Sequence, residues 1–330
     1  MTESTSEGVW VEGRTVPFPK SISDQARANL ARLVDAEGRP IGPARAYPPA
    51  SDIAAWAALK EASNTAIVEA LGPAWSGFKS SCETTRIAGV VTHVATPAGA
   101  FDPSRAYLDI HGGALIFGGG GLSLMGARRQ ADLLGVQCYG VDYRTPPEDP
   151  YPAPLDDCVA VYRALLERYA PEKLIIGGGS AGGNLAAATV LRARDEGLPL
   201  PAAVVLLTPE LDLTESGDTF ETNRTVDLVL RNPLMAINLL YAAGHDLRHP
   251  YLSPLFGDFA KGFPPTFLQA GTRDLFLSNT VRMHRALRKA GVPVEIHVFE
   301  GMPHGGFSGA PEDLEVAAEM ARFAAEHWKT

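Results

Sequence analysis

From residue 84 onward the chain alternates short apolar runs with amphipathic segments, and this alternation leaves few architectures open to it. Strands are expected at Ile87–Ala95, Ala106–Ile110, Val136–Asp142, Lys173–Ile176, Ala202–Leu207, Thr266–Ala270 and Val294–Phe299. Between several of them apolar residues recur at helical spacing, over Leu124–Leu134, Leu155–Tyr169, Ala181–Glu196 and Ser278–Lys289. A last helix is expected near Glu312–Trp328, with Val316, Met320, Phe323 and His327 on one face. Strands that are nearly continuous apolar runs must be covered on both faces. The pattern therefore implies an α/β chain with a mostly parallel central sheet flanked by helices.

Two stretches break the rhythm. Before about residue 80 there are two helical patterns and no convincing strand. Ser23 can cap a helix carrying Ala26, Leu30, Leu33 and Val34, and Ser51 one carrying Ile53, Trp56, Ala57, Ile67 and Leu71, stopped by Gly72-Pro73. A Pro-rich connector, Pro40 to Pro49, joins them, and the segment cannot form a core alone. The second break is the interval from Thr208 to Pro265, which holds a helical stretch around Pro233–Ala243 and reads as an insertion. Insertions at strand C-termini of such sheets often cover the active site. The expected organisation is an N-terminal helical cap segment, 1–80, and a catalytic domain, 81–330, with a cap insertion at about 212–250.

Composition excludes several classes. Hydrophobic residues make 45% and charged residues 20% of the chain, ample for a core, so disorder is excluded. A net charge of −9 without a basic block speaks against a nucleic-acid partner. Cys82, Cys138 and Cys158 are odd in number and widely spaced, which gives neither a disulfide framework nor a metal pair. The opening MTESTSEGVW lacks a basic and then apolar leader, and no apolar run approaches the ~18 residues of a membrane span. A cytoplasmic protein with no membrane partner is expected.

The chemistry centres on Leu174-Ile175-Ile176-Gly177-Gly178-Gly179-Ser180-Ala181-Gly182-Gly183. From Gly178 it reads G-x-S-x-G, a strand-to-helix turn that projects a nucleophilic serine. From Gly177 it reads G-x-G-x-x-G, a dinucleotide fingerprint whose ribose acid would be Glu210, unusually far downstream. Three other strand ends decide between them. His111-Gly112-Gly113-Ala114 can present backbone amides beside a nucleophile, and Asp274 and His304 each sit in a loop after a later strand. Ser, Asp, His is the chain order of an α/β-hydrolase.

Other readings of single residues are weaker. Asp246 or Asp258 could serve as the acid, but only Asp274 directly follows a strand. His297, His284 and His327 fall within elements and are expected to pack or face solvent, and His111 to support its loop by hydrogen bonding. His245 and His249 have the spacing of a helical zinc pair but lack the glutamate between them, so no metal is expected. Gly118–Gly121 lacks the lysine of a phosphate loop and fits a flexible loop beside the site. Asp156-Asp157 starts a helix, where carboxylates favour the positive end of the dipole.

The sequence resembles the hormone-sensitive-lipase-like family of bacterial esterases, from about Ile87 to the C-terminus. His111-Gly112-Gly113-Ala114 looks like its HGGG. Asp142-Tyr143-Arg144-Thr145-Pro146-Pro147-Glu148, followed by Tyr151-Pro152-Ala153-Pro154-Leu155-Asp156-Asp157, is similar to its DYRLAPE…FPAALDD. Gly178-Gly179-Ser180-Ala181-Gly182-Gly183 answers to GDSAGG, and Pro250-Tyr251-Leu252-Ser253-Pro254-Leu255 looks like the segment returning from the cap. Ala114 stands where the family has the last glycine of HGGG, and Gly179 where it has Asp.

The resemblance implies the α/β-hydrolase fold and a carboxylesterase for small hydrophobic esters of short to medium acyl chain, with no metal or organic cofactor. Ser180 would be the nucleophile, His304 the base and Asp274 its orienting acid. Amides of Gly113, Ala114 and Ala181 would form the oxyanion hole, with Gly112 shaping the turn. Lactone and aryl-amide hydrolysis are close variants. A dinucleotide-binding oxidoreductase using Gly177–Gly182 and a binding protein on an inactive hydrolase fold are the alternatives of other classes. A homodimer through a sheet edge or the C-terminal helix is also suggested.

Overall fold

The computed structural model describes residue 9 and residues 11–41, 47–71 and 77–328. Eight strands form one sheet: β1 Ser81–Ile87, β2 Val90–Thr96, β3 Ala106–Ile110, β4 Gln137–Val141, β5 Leu174–Gly179, β6 Ala203–Leu207, β7 Thr266–Gly271 and β8 Val294–Phe299. Their order is β1-β2-β4-β3-β5-β6-β7-β8. The β1–β2 and β2–β4 pairs are antiparallel, and every later pair is parallel.

The central strands are buried on both faces and alternate between two cores. Along β3, Ala106, Leu108 and Ile110 join one cluster and Tyr107 the other; Val204 and Leu206 part from Ala203 and Val205 along β6 in the same way. The first cluster lies under α4 Ala153–Leu166, α5 Ala181–Asp195 and α8 Leu277–Lys289, the second under α3 Gly121–Leu134 and α9 Pro311–His327. Helices thus cover both faces.

One strand expectation is corrected. Ile87–Ala95 is not a single strand but the end of β1, a turn and most of β2, with Ile87 paired to Val90. The turn residues Ala88 and Gly89 both have positive φ, 50° and 84°, the geometry of a two-residue hairpin. An Ala in that position gives no turn signal in the sequence.

The N-terminal helices go to two different places. Helix α1, Asp24–Ala31, capped by the Ser23 side chain, packs Ile22, Ala26 and Leu30 against Met302, Phe307 and Val316. Helix α2, Ile53–Leu71, instead joins the insertion. Its Trp56 shares a cluster with Phe117, Phe220, Ile237 and Phe276, where α7, Met235–Ala242, also packs. The expected stop at Gly72-Pro73 and residues 42–46 of the Pro-rich connector lie outside the described residues.

Chain connections from β3 run first to β4 on one side and then, through α4, to β5 on the other. This reversal leaves a crevice beyond the C-terminal ends of β3 and β5, where such sheets bind ligands. Gly112 follows β3 and Ser180 follows β5, so both stand at that crevice.

Candidate active site

Ser180 occupies the turn between β5 and α5 with φ 56° and ψ −124°, a backbone region that non-glycine residues avoid. The turn is clamped, because the amides of Gly183 and Asn184 donate to the Ser180 carbonyl at 3.0 and 3.2 Å. Neighbouring glycines are required by close approach. A Cβ on Gly178 would stand 2.5 Å from the Ile110 carbonyl oxygen, and one on Gly183 2.8 Å from Pro209 Cβ. Of the glycines of the dinucleotide reading, Gly177 and Gly182 are packed against the protein itself, a Cβ on Gly182 lying 2.7 Å from the His111 carbonyl oxygen, while Gly179 is open. Such packing suits either reading, and what separates them is the set of partners that Ser180 meets.

The structure brings Ser180, His304 and Asp274 together. Ser180 Oγ lies 3.0 Å from His304 Nε2, and His304 Nδ1 lies 3.1 Å from Asp274 Oδ1. Asp274 follows β7 and is fully buried; the Phe276 amide also donates to its Oδ1 at 2.9 Å. Burial lowers the His304 pKa, but the Asp274 carboxylate, with Asp227 and Glu210 beyond it, outweighs that effect and leaves the pKa raised. Asp246 and Asp258 instead cap turns by accepting from the Arg248 and Ala260 amides.

The Gly112–Ala114 turn reaches the serine from β3. A Cβ on Gly112 would come within 3.4 Å of Ser180 Cβ, so the two residues touch. Gly113, Ala114 and Leu115 all have positive φ, at 124°, 51° and 63°, and the Gly113 carbonyl accepts from the Phe117 amide at 2.7 Å. Ala114 therefore adopts the turn despite its Cβ, which packs into the Trp56 cluster. Among the described residues, no group accepts from the amides of Gly112, Gly113, Ala114 or Ala181. Ala181 is the first residue of α5, where a helix leaves its N–H groups free.

Supporting residues hold this turn. His111 stacks on Tyr143 with ring centroids 4.1 Å apart, its Nδ1 lies 2.7 Å from the Gly112 carbonyl oxygen, and burial lowers its pKa. Tyr143 Oη donates to the His111 carbonyl at 2.8 Å. The Gly118–Gly121 loop is tied rather than loose, since the Gly118 amide donates to Asn64 and the Gly120 amide to Asp142. Asp156 lies in the first turn of α4, and Asp157 next to it binds the Arg144 amide and guanidinium. His245 and His249 lie beyond the end of α7 and pack on Tyr151. Of the remaining histidines, His297 stacks on Phe267 and His327 packs on Phe323, while His284 lies in α8. No group of metal-ligating side chains is present among the described residues. Nor is any described helix long and apolar enough to cross a membrane.

Three buried carboxyls lie beside the site, and of them only Glu210 figures in a sequence motif, as the acid of the dinucleotide reading. Asp227, in the insertion, accepts from the Leu275 amide with one oxygen and from the Val229 and Leu230 amides with the other. Its Oδ1 also lies 3.4 Å from the His304 amide. Glu210 follows β6, and its amide donates to the Ser180 carbonyl at 3.2 Å. Both its carboxyl oxygens are buried without a partner, and burial, with Glu215 nearby, pushes its pKa up to about 8. Asp109, on β3, has its pKa pushed by burial to about 7. An isolated Asp or Glu between apolar residues looks the same at the surface as in a core, so sequence alone gives no signal for Asp227 and Asp109 and none for the burial of Glu210.

A cavity of about 640 Å³ opens on Ser180 and His304. Gly112 lines it, while Gly113, Ala114 and Ala181 do not.

The profile of a family described as alpha/beta hydrolase fold matches residues 107–308, more than half of the chain. The chain is 36% identical over 202 residues to an acetyl-hydrolase of Streptomyces hygroscopicus, covering 61% of this chain and 67% of that protein. It is 32% identical to an esterase of Acinetobacter venetianus, covering 65% and 73%. Among solved structures, that of an esterase superposes with a TM-score of 0.85 at 33% identity over 98% of this chain and all of that one. An esterase from the bacterial hormone-sensitive lipase family superposes with a TM-score of 0.76 at 28% identity, over 93% of this chain and 99% of that one. The chain belongs to the alpha/beta hydrolase fold family, and within it to the hormone-sensitive-lipase-like esterases.

Proposed function

We propose that this chain hydrolyses carboxylic esters of small hydrophobic character and short to medium acyl chain, through a covalent acyl-enzyme on Ser180. The observation that carries the reading is the hydrogen-bonded series Ser180 Oγ, His304, Asp274 at 3.0 and 3.1 Å, beside amides that no described group engages. Ser180 Oγ attacks the ester carbonyl carbon as His304 Nε2 takes its proton. The resulting imidazolium is stabilised by Asp274, which fixes Nδ1 as the protonated nitrogen. The oxyanion is received by the amides of Gly113, Ala114 and Ala181, with Gly112 shaping the approach. His304 then protonates the leaving alcohol, and a water attacks the acyl-enzyme by the same route, returning the proton to Ser180. Lactones and aryl amides pass through the same kind of tetrahedral intermediate. Helix α2 and residues 212–250 together form the cap in this reading, supported by their shared Trp56 cluster. The β8 edge, with β7 on one side only, suits the homodimer.

The test is a panel of p-nitrophenyl esters from acetate to palmitate with Ser180→Ala and His304→Ala. Both variants are expected to fold and to lose on the order of 10⁴ or more in kcat. A fluorophosphonate probe should label the wild type at Ser180 alone. Hydrolysis near the wild-type rate by either purified variant overturns the mechanism.

A further inference from the structure

The cavity at Ser180 does not run beneath the insertion. Among the described residues none from 212–250 lines it; it enters the layer between α3 and α9. Its floor is the sheet, with Asp109 from β3, Gly179 from β5, Leu207 from β6 and Gln269 from β7. Leu122 and Gly126 of α3 and Ala317 of α9 line it from the helices.

Gly179 keeps this passage open beside the nucleophile. A Cβ there would meet nothing nearer than the Leu207 carbonyl oxygen at 3.6 Å, an ordinary contact. A larger residue is thus sterically admissible and would occupy the floor of the cavity.

Farther along β3 the wall is a carboxyl. Asp109 is 5% exposed, and Gln130 and Arg129 line the same cavity. Gln130 is itself 7% exposed, and its Oε1 is buried without a partner. Unsatisfied acceptors in a closed space are costly unless a donor arrives. Asp109 is in register with Gly177, three residues before Ser180, or ~10 Å along the strand at ~3.3 Å per residue. A chain of medium length spans that distance.

We propose that this cavity seats one arm of the ester, and that Asp109, with Gln130 beside it, recognises a hydroxyl or amine carried on that arm. The proposal rests on Ser180 being the nucleophile, and it names a class of substrate: esters with a hydrogen-bond donor toward the end of a medium chain.

The experiment compares kcat/KM in two series. One pairs p-nitrophenyl octanoate with its ω-hydroxy and ω-amino forms; the other pairs octyl acetate with its ω-hydroxy and ω-amino forms. The wild type is expected to favour a donor-bearing ester by on the order of tenfold in one series, which identifies the arm. Asp109→Leu should bring that ratio to near one. Ala317→Trp, on α9, should lower the octanoate-to-acetate or octyl-to-ethyl ratio by a similar factor by narrowing the cavity. Should Asp109→Leu fail to fold, Asp109→Asn replaces it and is read on the ω-amino esters, whose advantage needs the charge. Ratios near one in both series for the wild type, or a ratio that survives substitution of Asp109, overturn the proposal while ester hydrolysis itself stands. Failure of the wild type to hydrolyse any of these esters removes the underlying reading of Ser180, and the proposal with it.

Discussion

The amide of Leu275, directly after Asp274, donates to Asp227 Oδ2 at 2.9 Å, so a carboxylate of the insertion fixes the loop of the proposed catalytic acid. Its other oxygen turns the insertion's own chain at Val229 and Leu230 and lies toward the His304 amide. One side chain thus sets the Asp274 loop, the His304 loop and the insertion relative to each other.

Asp227→Asn replaces acceptor oxygens by a donor facing backbone N–H groups. We expect kcat to fall about 10- to 100-fold through misplacement of the acid and base, with a smaller change in KM. Because Asp227 also helps raise the His304 pKa, the acid limb of the pH profile should move to lower pH. Loss of rate with an unmoved limb would reduce Asp227 to a structural residue.

The wild-type pH profile itself has a defined sign. In the proposed mechanism His304 must be neutral to accept the serine proton, and its pKa is raised above the ordinary 6.5. Activity should therefore fall as pH drops through a midpoint above that value, measured as kcat/KM on an ester of constant ionisation. Asp274→Asn should move the limb downward and cost several powers of ten in rate.

Glu210 predicts a stability effect. Its folded pKa, about 8, lies above the ordinary 4.5 of a glutamate, so the folded state holds the proton more tightly than the unfolded chain. This contribution to stability is fully present below 4.5 and is lost as pH rises through 8. Glu210→Gln keeps the shape without the titration. Its Tm relative to wild type should rise steadily between pH 5 and 8; a constant difference across that range would contradict the buried, unpaired carboxyl.

Trp56 tests the attachment of α2. It is fully buried, stacks on Tyr47 at 5.6 Å and donates from Nε1 to the Pro49 carbonyl at 3.0 Å. Trp56→Ala should cost about 3–5 kcal/mol in thermal or denaturant unfolding. Since Phe276 of the same cluster packs edge-on to the His304 ring, 5.0 Å between centroids, activity should fall before the protein melts.

What could be read from the sequence was whatever a strand end advertises. Ser180 follows its strand directly and Asp274, His304 and Gly112–Ala114 stand within a few residues of a strand end, where periodicity and short motifs point. The Ala88-Gly89 turn was hidden because a lone glycine between Ile87 and Val90 does not interrupt an apolar run. The partners of α1 and α2 were equally invisible. Amphipathic spacing shows that a helix has an apolar face, while the surface that receives it is assembled from residues such as Met302 and Phe307, far away in the chain. Asp227 and Asp109 act through backbone geometry and a cavity, neither of which leaves a spacing rule.

Ser180 has one more consequence, drawn from its φ of 56° and ψ of −124°. The fold holds its most reactive residue in a shape that only glycine accepts without penalty. A Ser180→Gly protein should then melt higher than the wild type, and selection for thermal endurance alone would drift toward erasing the proposed nucleophile.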